Sequence, residues 1–414
     1  MKHIPNINFT LQHDLCMGCG VCESACPFKA ISIVVKNGRF LPKIDEQLCH
    51  NKKGCHRCYD TCGGLGINLL GMAKQIHADS DTKQHALIGS YRKCYTGFSK
   101  DETLRTNAAS GGVLSQFLIW LLENNKIDGA VVTRFDKDAP LKVHTFIAKT
   151  KEDVLSAKGS KYGPVSLHSV IQEIKKSDGK RFVIVGLPCH VHSIRKLMSC
   201  DKILRDKTAG IFSLFCSGSQ TFHYTEYILK QCGGNVAGLD YLAYREGYPS
   251  GMVAKGKEFD FFKEYHKYNM PLKGTFYPRR CLLCVDMLGE LSDISFGDIY
   301  VDTPEEAGTG ISAIIARSKL WEELLQEAVD ANAIHLDEIT EEKLLYKRSM
   351  AKAKKTRNAS FVQLLKRLHK EVPEYDSVYY GKVSAKIALK YAVMRAKQLV
   401  GNHHLLWFLL PKIK

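Results

Sequence analysis

The chain has 414 residues, of which 45% are hydrophobic and 25% charged, with 15 cysteines and a formal net charge of +16. That is the composition of a folded protein of two or three domains rather than a short disulfide scaffold or a disordered chain. No run approaches the roughly 20 apolar residues of a membrane helix. The amino end, Met-Lys-His-Ile-Pro, lacks the apolar stretch of a secretory signal, so none is expected.

The charge is lopsided. From Lys343 to Lys414 there are 17 basic residues against Glu371, Glu374 and Asp376, a net +14 that leaves only +2 for the first 342 residues. A basic stretch confined to one end argues against reading the whole chain as a nucleic-acid binder, and no nucleic-acid partner is expected.

In chain order, the first feature is a cysteine run. Cys16, Cys19, Cys22 and Cys26, followed by Pro27, have the C-x2-C-x2-C-x3-C-P spacing of a two-cluster 4Fe-4S ferredoxin. Cys49, Cys55, Cys58 and Cys62 form a second run. Its first gap is three residues longer than standard, and Gly63 stands where proline usually does. Two-residue gaps let one tight loop hold three corners of a cubane, so the fourth thiolate must come from elsewhere. The expected ligand sets are therefore crossed: Cys16, Cys19, Cys22 and Cys62 on one cluster, and Cys49, Cys55, Cys58 and Cys26 on the other. Zinc knuckles are the competing reading, but zinc sites use well-separated C-x2-C pairs. Each oxidised cluster with its four thiolates adds about −2, which makes the body of the chain acidic when loaded. Thiols kept as metal ligands predict a reducing, cytoplasmic setting.

Residues 31–35 read as a strand, Asn37-Gly38 as a turn and 66–78 as a helix, closing a ferredoxin unit over residues 1–80. The polar stretch His77 to Gln84 is the expected linker. Beyond it helix and strand alternate. Ser110-Gly111-Gly112 precedes an apolar helix, Val113 to Leu122, with Ser110 as its expected N-cap. Strands are expected at Gly129–Thr133, Phe182–Gly186, Gly210–Phe215 and Ser312–Ala316. Helices are expected at Val165–Lys175, His190–Met198, Thr221–Gln231 and Leu320–Asn332. The predicted fold class is α/β: an α+β ferredoxin domain, an α/β domain with a mixed sheet over residues 85–342, and a helical basic tail over 343–414.

Seven cysteines remain after the ferredoxin unit. Cys281 and Cys284 form a pair, and Cys189 and Cys216 follow predicted strands, whose carboxyl ends gather on one rim of an α/β sheet. These four are the expected ligands of a third 4Fe-4S cluster, with zinc on the same thiolates as the competitor. Cys94, Cys200 and Cys232 are left as buried structural thiols. Near the end, Lys382, Lys386, Lys390 and Lys397 fall on one helical arc beside Ile387, Tyr391 and Met394, and an apolar Leu-Leu-Trp-Phe-Leu-Leu follows. Such a segment can lie peripherally on an anionic membrane, at its inner face. The competing reading packs it on the body with its lysines in solvent.

Several segments together resemble the beta subunit of the coenzyme F420 hydrogenase/dehydrogenase family. They are Lys93-Cys-Tyr95, Ala109-Ser-Gly-Gly-Val113, Gly159-Ser-Lys-Tyr162, Gly186-Leu-Pro-Cys-His-Val-His-Ser-Ile-Arg-Lys-Leu197, Phe215-Cys-Ser-Gly218, Tyr244-Arg-Glu-Gly247, Arg280-Cys-Leu-Leu-Cys-Val-Asp286 and Ser292-Asp-Ile-Ser-Phe-Gly-Asp298. The resemblance spans about residues 10 to 340. It implies an oxidoreductase with FAD and a 4Fe-4S cluster in the second domain, passing electrons between reduced deazaflavin, FAD and iron–sulfur centres. It also implies a redox partner such as ferredoxin or a larger complex. A ferredoxin-driven reductase of a small organic substrate and a non-catalytic electron-transfer subunit are the alternatives.

For FAD, the amide groups of Ser110-Gly111-Gly112 at a helix start suit a pyrophosphate, and Lys161 beside Tyr162 would add a cation and a ring. His190, and His192 with it, would line the flavin side, with packing as the competing reading. Arg279 and Arg280 would offset the cluster's charge, and Arg245 would meet a phosphate or carboxylate. Gly297-Asp298 reads as a turn, with contact between Asp298 and flavin or substrate as the alternative. No G-x-G-x-x-G is present, so a standard NAD fold is not expected.

Overall fold

Asn37 and Gly38 take φ values of 52° and 66°, the pair of left-handed residues that a two-residue hairpin turn requires. They join β1 (Ile31–Lys36) to β2 (Arg39–Ile44) in the expected antiparallel hairpin. The computed structural model describes residues 5–136, 138–139, 141–247, 250–300, 310–376 and 381–413. The helix expected at 66–78 is α1, Leu69–Ile76; its start is fixed by Asn68, whose side chain accepts from the Gly71 amide. The stretch expected to be a linker is not free: His77 is buried, and Lys83–His85 pairs with Gly89–Tyr91.

The second region supplies β3 (Lys93–Ser99), α2 (Val113–Glu123), β4 (Gly129–Phe135), β5 (Val143–Ala148), α3 (Val170–Lys176), β6 (Phe182–Gly186), α4 (Pro188–Cys200), β7 (Thr208–Leu214) and α5 (Phe222–Gln231). A small antiparallel sheet follows, β8 (Leu239–Glu246), β9 (Gly251–Gly256) and β10 (Phe259–Glu264). Next come β11 (Ile294–Asp298), β12 (Ser312–Ala316), α6 (Lys319–Asp330) and β13 (Ile334–Ile339). Asp298 thus ends a strand rather than sitting in a turn.

The main sheet has eight strands in the order β13-β3-β12-β11-β7-β6-β4-β5. Strands β11, β7, β6 and β4 form a parallel block, and the strands on either side of it pair antiparallel, which is the expected mixed sheet. Phe182, Val183 and Ile184 of β6 are all buried. That unbroken apolar run is what a strand covered on both faces requires.

The basic end is not an appendage. Phe361 of α7 (Ala359–Arg367) is fully buried with Leu15, Leu282 and Leu283. Ile387, Tyr391 and Met394 of α8 (Ala385–Asn402) pack on the same cluster. Lys386, Lys390 and Lys397 stay in solvent, and Lys382 precedes the helix. The packed arrangement is therefore the one adopted. Among the described residues no helix is long and apolar enough to cross a membrane.

Candidate functional site

Twelve cysteines gather into three groups of four. Cys16, Cys19, Cys22 and Cys62 line one small cavity. Cys26, Cys49, Cys55 and Cys58 line a second. Cys189, Cys216, Cys281 and Cys284 line a third. The first two sets are the crossed sets expected from spacing. The lengthened gap is absorbed by one 3-10 turn, Asn51–Lys53, closed by Gly54 at φ 89°. Asn51 Nδ2 then donates to Cys55 O at 2.9 Å and holds Cys55 back toward Cys49.

Topology builds the third group. β6 and β7 are parallel neighbours in register from Gly210↔Val183 to Ser213↔Gly186, so Cys189 and Cys216 emerge on one rim. The Cys216 amide donates to Met287 O at 2.9 Å, bringing the Cys281-Leu-Leu-Cys284 loop across. Burial pushes the thiols up, Cys16 and Cys216 to about 12 and Cys58 and Cys62 to about 11. Buried thiols of this kind become thiolates only with a metal's charge beside them.

Helix α4 ties the groups together. Cys189 sits in its first turn. One turn on, Ser193 Oγ accepts from the Gly63 amide at 3.1 Å and from Cys19 Sγ at 3.4 Å. Lys196 Nζ donates to Cys62 O at 3.1 Å. This close approach explains Gly63 in place of proline: a Cβ there would lie 2.7 Å from Ser193 Oγ and 3.1 Å from the Ser193 nitrogen.

Two cations face the third group. Arg280 Nε donates to Gly64 O at 2.8 Å, while its buried Nη1 has no hydrogen-bond partner, and the residue borders the third cavity. Lys354 is 2% exposed; its Nζ donates to Asp286 O at 2.9 Å and lies 3.5 Å from Cys284 Sγ. Burial alone would lower its pKa, but the thiols of Cys284, Cys216 and Cys281 outweigh that and raise it. Asn358 Nδ2 donates to Cys284 O at 2.9 Å. Both residues lie in a π-turn, Lys354–Asn358, an irregularity frequent at functional sites. Sequence reasoning missed them by reading this stretch as a solvated tail. Four thiols, an unpaired guanidinium N–H and a buried ammonium fit an anionic 4Fe-4S cluster. Arg279, by contrast, points to His13 O (2.5 Å) and Tyr391 OH (3.1 Å) and binds the amino end to α8.

His190 borders the third cavity, but both ring nitrogens are engaged. Nδ1 accepts from the Leu187 amide and Nε2 faces Val165 O, each at 3.2 Å, and burial lowers its pKa to about 4. His192, neutral through burial, bonds Asp286 at 3.0 Å. Asp286 also accepts the amides of Leu288, Gly289 and Glu290 and stays ionised. Arg245 is paired with Asp298 at 2.6 Å.

The side chains expected beside FAD are engaged within the chain. Ser110 is not the cap of α2; Gly112 is, at φ 76°, and Ser110 Oγ donates to Ile311 O at 2.8 Å. A helix whose cap residue is left-handed glycine has no place for the serine two positions earlier. A Cβ on Gly111 would lie 2.5 Å from Gly97 O and 2.7 Å from the Ser312 nitrogen. Lys161 Nζ is held by the carbonyls of Ala157, Lys158 and Gly159. Tyr162 packs against Tyr244 and Tyr265. Gly111→Ala is expected to destabilise the fold by about 1–3 kcal/mol, because backbone on both sides cannot yield. Thermal denaturation under anaerobic conditions reads this, and an unchanged midpoint would refute it.

Of the remaining thiols, Cys94 is buried and Cys232 half-buried, but Cys200 is exposed at the end of α4. The expectation of a buried Cys200 fails because the last helical turn projects beyond the core.

Family models for the coenzyme F420 hydrogenase/dehydrogenase beta subunit match this chain twice, its amino-terminal part over residues 94–172 and its carboxyl-terminal part over 179–342. A 4Fe-4S binding domain matches residues 10–32. The coenzyme F420 hydrogenase subunit beta of Methanosarcina barkeri is 27% identical over 288 residues, 67% of this chain and 92% of the relative. The coenzyme F420-dependent sulfite reductase of Methanocaldococcus jannaschii is 25% identical over 80% of this chain and 49% of its own length. A chain of the F420-reducing NiFe hydrogenase complex from Methanosarcina barkeri shares the fold, with a TM-score of 0.57 at 22% identity, covering 70% of this chain and 98% of that one. The α/β domain built around β6, β7 and the third cysteine group therefore belongs to the coenzyme F420 hydrogenase/dehydrogenase beta-subunit family, joined here to a 4Fe-4S ferredoxin unit in an electron-transfer oxidoreductase.

Proposed function

We propose that this protein passes electrons between reduced coenzyme F420 and a redox protein partner through three 4Fe-4S clusters, with FAD as the converter of two-electron to one-electron transfer. The observation that carries the reading is the division of twelve cysteines into three cavities, two of them bridged by one helix. In this reading Cys189, Cys216, Cys281 and Cys284 hold the cluster that exchanges electrons with the flavin. Cys16, Cys19, Cys22 and Cys62 hold the next, joined to it by α4 through Ser193 and Lys196. Cys26, Cys49, Cys55 and Cys58 hold the outermost. Cys55 of that last group borders an open concavity whose walls carry Lys53, Arg57 and Lys196 against Asp60, a net basic rim suited to an acidic redox partner.

A deazaflavin delivers a hydride, and a cubane takes single electrons, so a flavin between them supplies the conversion. In this reading the backbone amides of Ser110, Gly111 and Gly112 would hold its pyrophosphate, with Lys161 and Tyr162 nearby. Lys354 and Arg280 set the positive field around the third cluster.

The test is anaerobic visible absorbance of the cluster-loaded protein before and after reduced coenzyme F420 is added. Loss of the flavin band together with cluster bleaching is the expected result. A flavin that stays oxidised would discard this donor and favour a ferredoxin-driven reductase of a small organic substrate. Intact clusters without any flavin would favour a non-catalytic electron-transfer subunit.

A further inference from the structure

Outside the three cysteine groups, three ligand-type side chains meet near the carboxyl end of the chain. His223 and Glu226 lie at i and i+3 on the first turns of α5. His404 opens a 3-10 turn, His404–Leu409, that follows α8. His223 Nδ1 is 2.8 Å from Glu226 Oε2. His404 Nε2 is 3.1 Å from that same oxygen and 3.1 Å from His223 Nδ1. Among the described residues this is the one group of at least three such side chains close enough to share an ion.

With Glu226 ionised, hydrogen bonding leaves one edge of the triangle unfavourable. A ring nitrogen carries either one hydrogen or one lone pair. If both imidazoles donate to Oε2, two N–H groups face each other across 3.1 Å. If His404 donates to His223 instead, the His223 lone pair faces the carboxylate across 2.8 Å. In either case at least one edge is repulsive. A single cation at the centre makes every edge favourable. Zinc bonds of about 2.0–2.1 Å to imidazole nitrogen and carboxylate oxygen place tetrahedral ligands about 3.3 Å apart, close to the three edges seen.

The surroundings fix the donors. The His404 ring meets Trp407 edge-on at 4.3 Å, and the His223 ring meets Trp407 at 6.1 Å. Trp407 is buried and anchored by its Nε1 hydrogen bond to Gly401 O at 2.9 Å. The hairpin turn of the ferredoxin unit seats against His223: a Cβ on Gly38 would lie 2.9 Å from its Nε2. The His404 side chain is 58% exposed, which leaves a fourth position open to water.

We infer that His223, Glu226 and His404 form a binding site for a divalent first-row transition ion of the zinc class, completed by water. Two imidazoles select against magnesium and calcium, which take oxygen ligands. Two ligands come from α5 and the third from the carboxyl-terminal turn, so the ion fastens the end of the chain to the body. It holds the segment next to α8, which packs on the loop carrying Cys281 through Gln398 and Pro278 O. The inference is independent of the proposed electron route.

The test uses the full chain loaded anaerobically with iron, given Zn(II) and then dialysed. Zinc and iron are measured in the same sample, since vacant cluster thiols also take zinc. Wild type is expected to retain about one zinc atom per chain more than His404→Ala or Glu226→Gln at equal iron content. Zn(II) is also expected to raise the thermal midpoint of wild type but of neither variant. His404 is mostly exposed, and unchanged iron and visible absorbance report that the variants are folded. Loss of a direct ligand is expected to weaken zinc binding by about 100-fold or more. Equal zinc in all three proteins, or none retained by wild type, would overturn the assignment.

Discussion

Cys16→Ala and Cys62→Ala will each remove the same cluster, and the double variant will lose no more iron than either single one. Fully loaded protein carries about 12 iron atoms per chain if all three groups hold cubanes, so each of these three variants is expected to retain about eight. The reason is geometric. Cys16 and Cys62 lie 46 positions apart in sequence yet line one cavity with Cys19 and Cys22, while Cys26 lines the other with Cys49, Cys55 and Cys58. If the runs were uncrossed, Cys62 would serve the second cluster and the double variant would fall to about four. Iron analysis with electron paramagnetic resonance of the reduced protein separates the outcomes. The Cys281→Ala variant should lose a different signal and leave both ferredoxin signals in place.

Lys354→Met will lower the reduction potential of the third cluster by on the order of 100 mV. A unit charge about 5 Å from the added electron, at an effective dielectric near 20, contributes about 3 kcal/mol. For a one-electron couple that converts to this order. The ammonium is buried and lies 3.5 Å from Cys284 Sγ, so bulk water screens it little. Methionine keeps most of the volume and removes the charge. Arg279→Met is the control, because its guanidinium is directed to His13 O and Tyr391; the potential should scarcely move. Potentiometric titration followed by paramagnetic resonance reads both variants. A Lys354→Met shift no larger than that of Arg279→Met would refute the role.

Sequence alone determined the features in which local covalent spacing dictates chemistry. The Cys16–Cys26 and Cys49–Cys62 runs prescribe which thiols can share a cubane, because a loop with two-residue gaps turns its side chains inward whatever surrounds it. The central strands Phe182–Gly186 and Ser312–Ala316 were equally legible, since a strand buried on both faces must be apolar throughout. Cys189 and Cys216 could be paired with Cys281 and Cys284 because strand ends in such a sheet share one rim.

Tertiary structure alone decided what depends on segments distant in sequence meeting. Ser110-Gly111-Gly112 reads as a helix start capped by serine, yet the cap is Gly112, and the backbones of Gly97 and Ser312 lie against Gly111. Lys354, Lys355 and Asn358 belong by composition to a solvated basic tail. Burial of α7 against Leu15 and Leu283 carries them inside, where Lys354 meets thiols and Lys355 meets Glu290. His404 joins His223 and Glu226 across some 180 residues, a meeting to which no local periodicity is sensitive. Charge in sequence says only that an ion needs a partner or water. Which of the two it receives is settled by packing, and packing is a property of the whole chain.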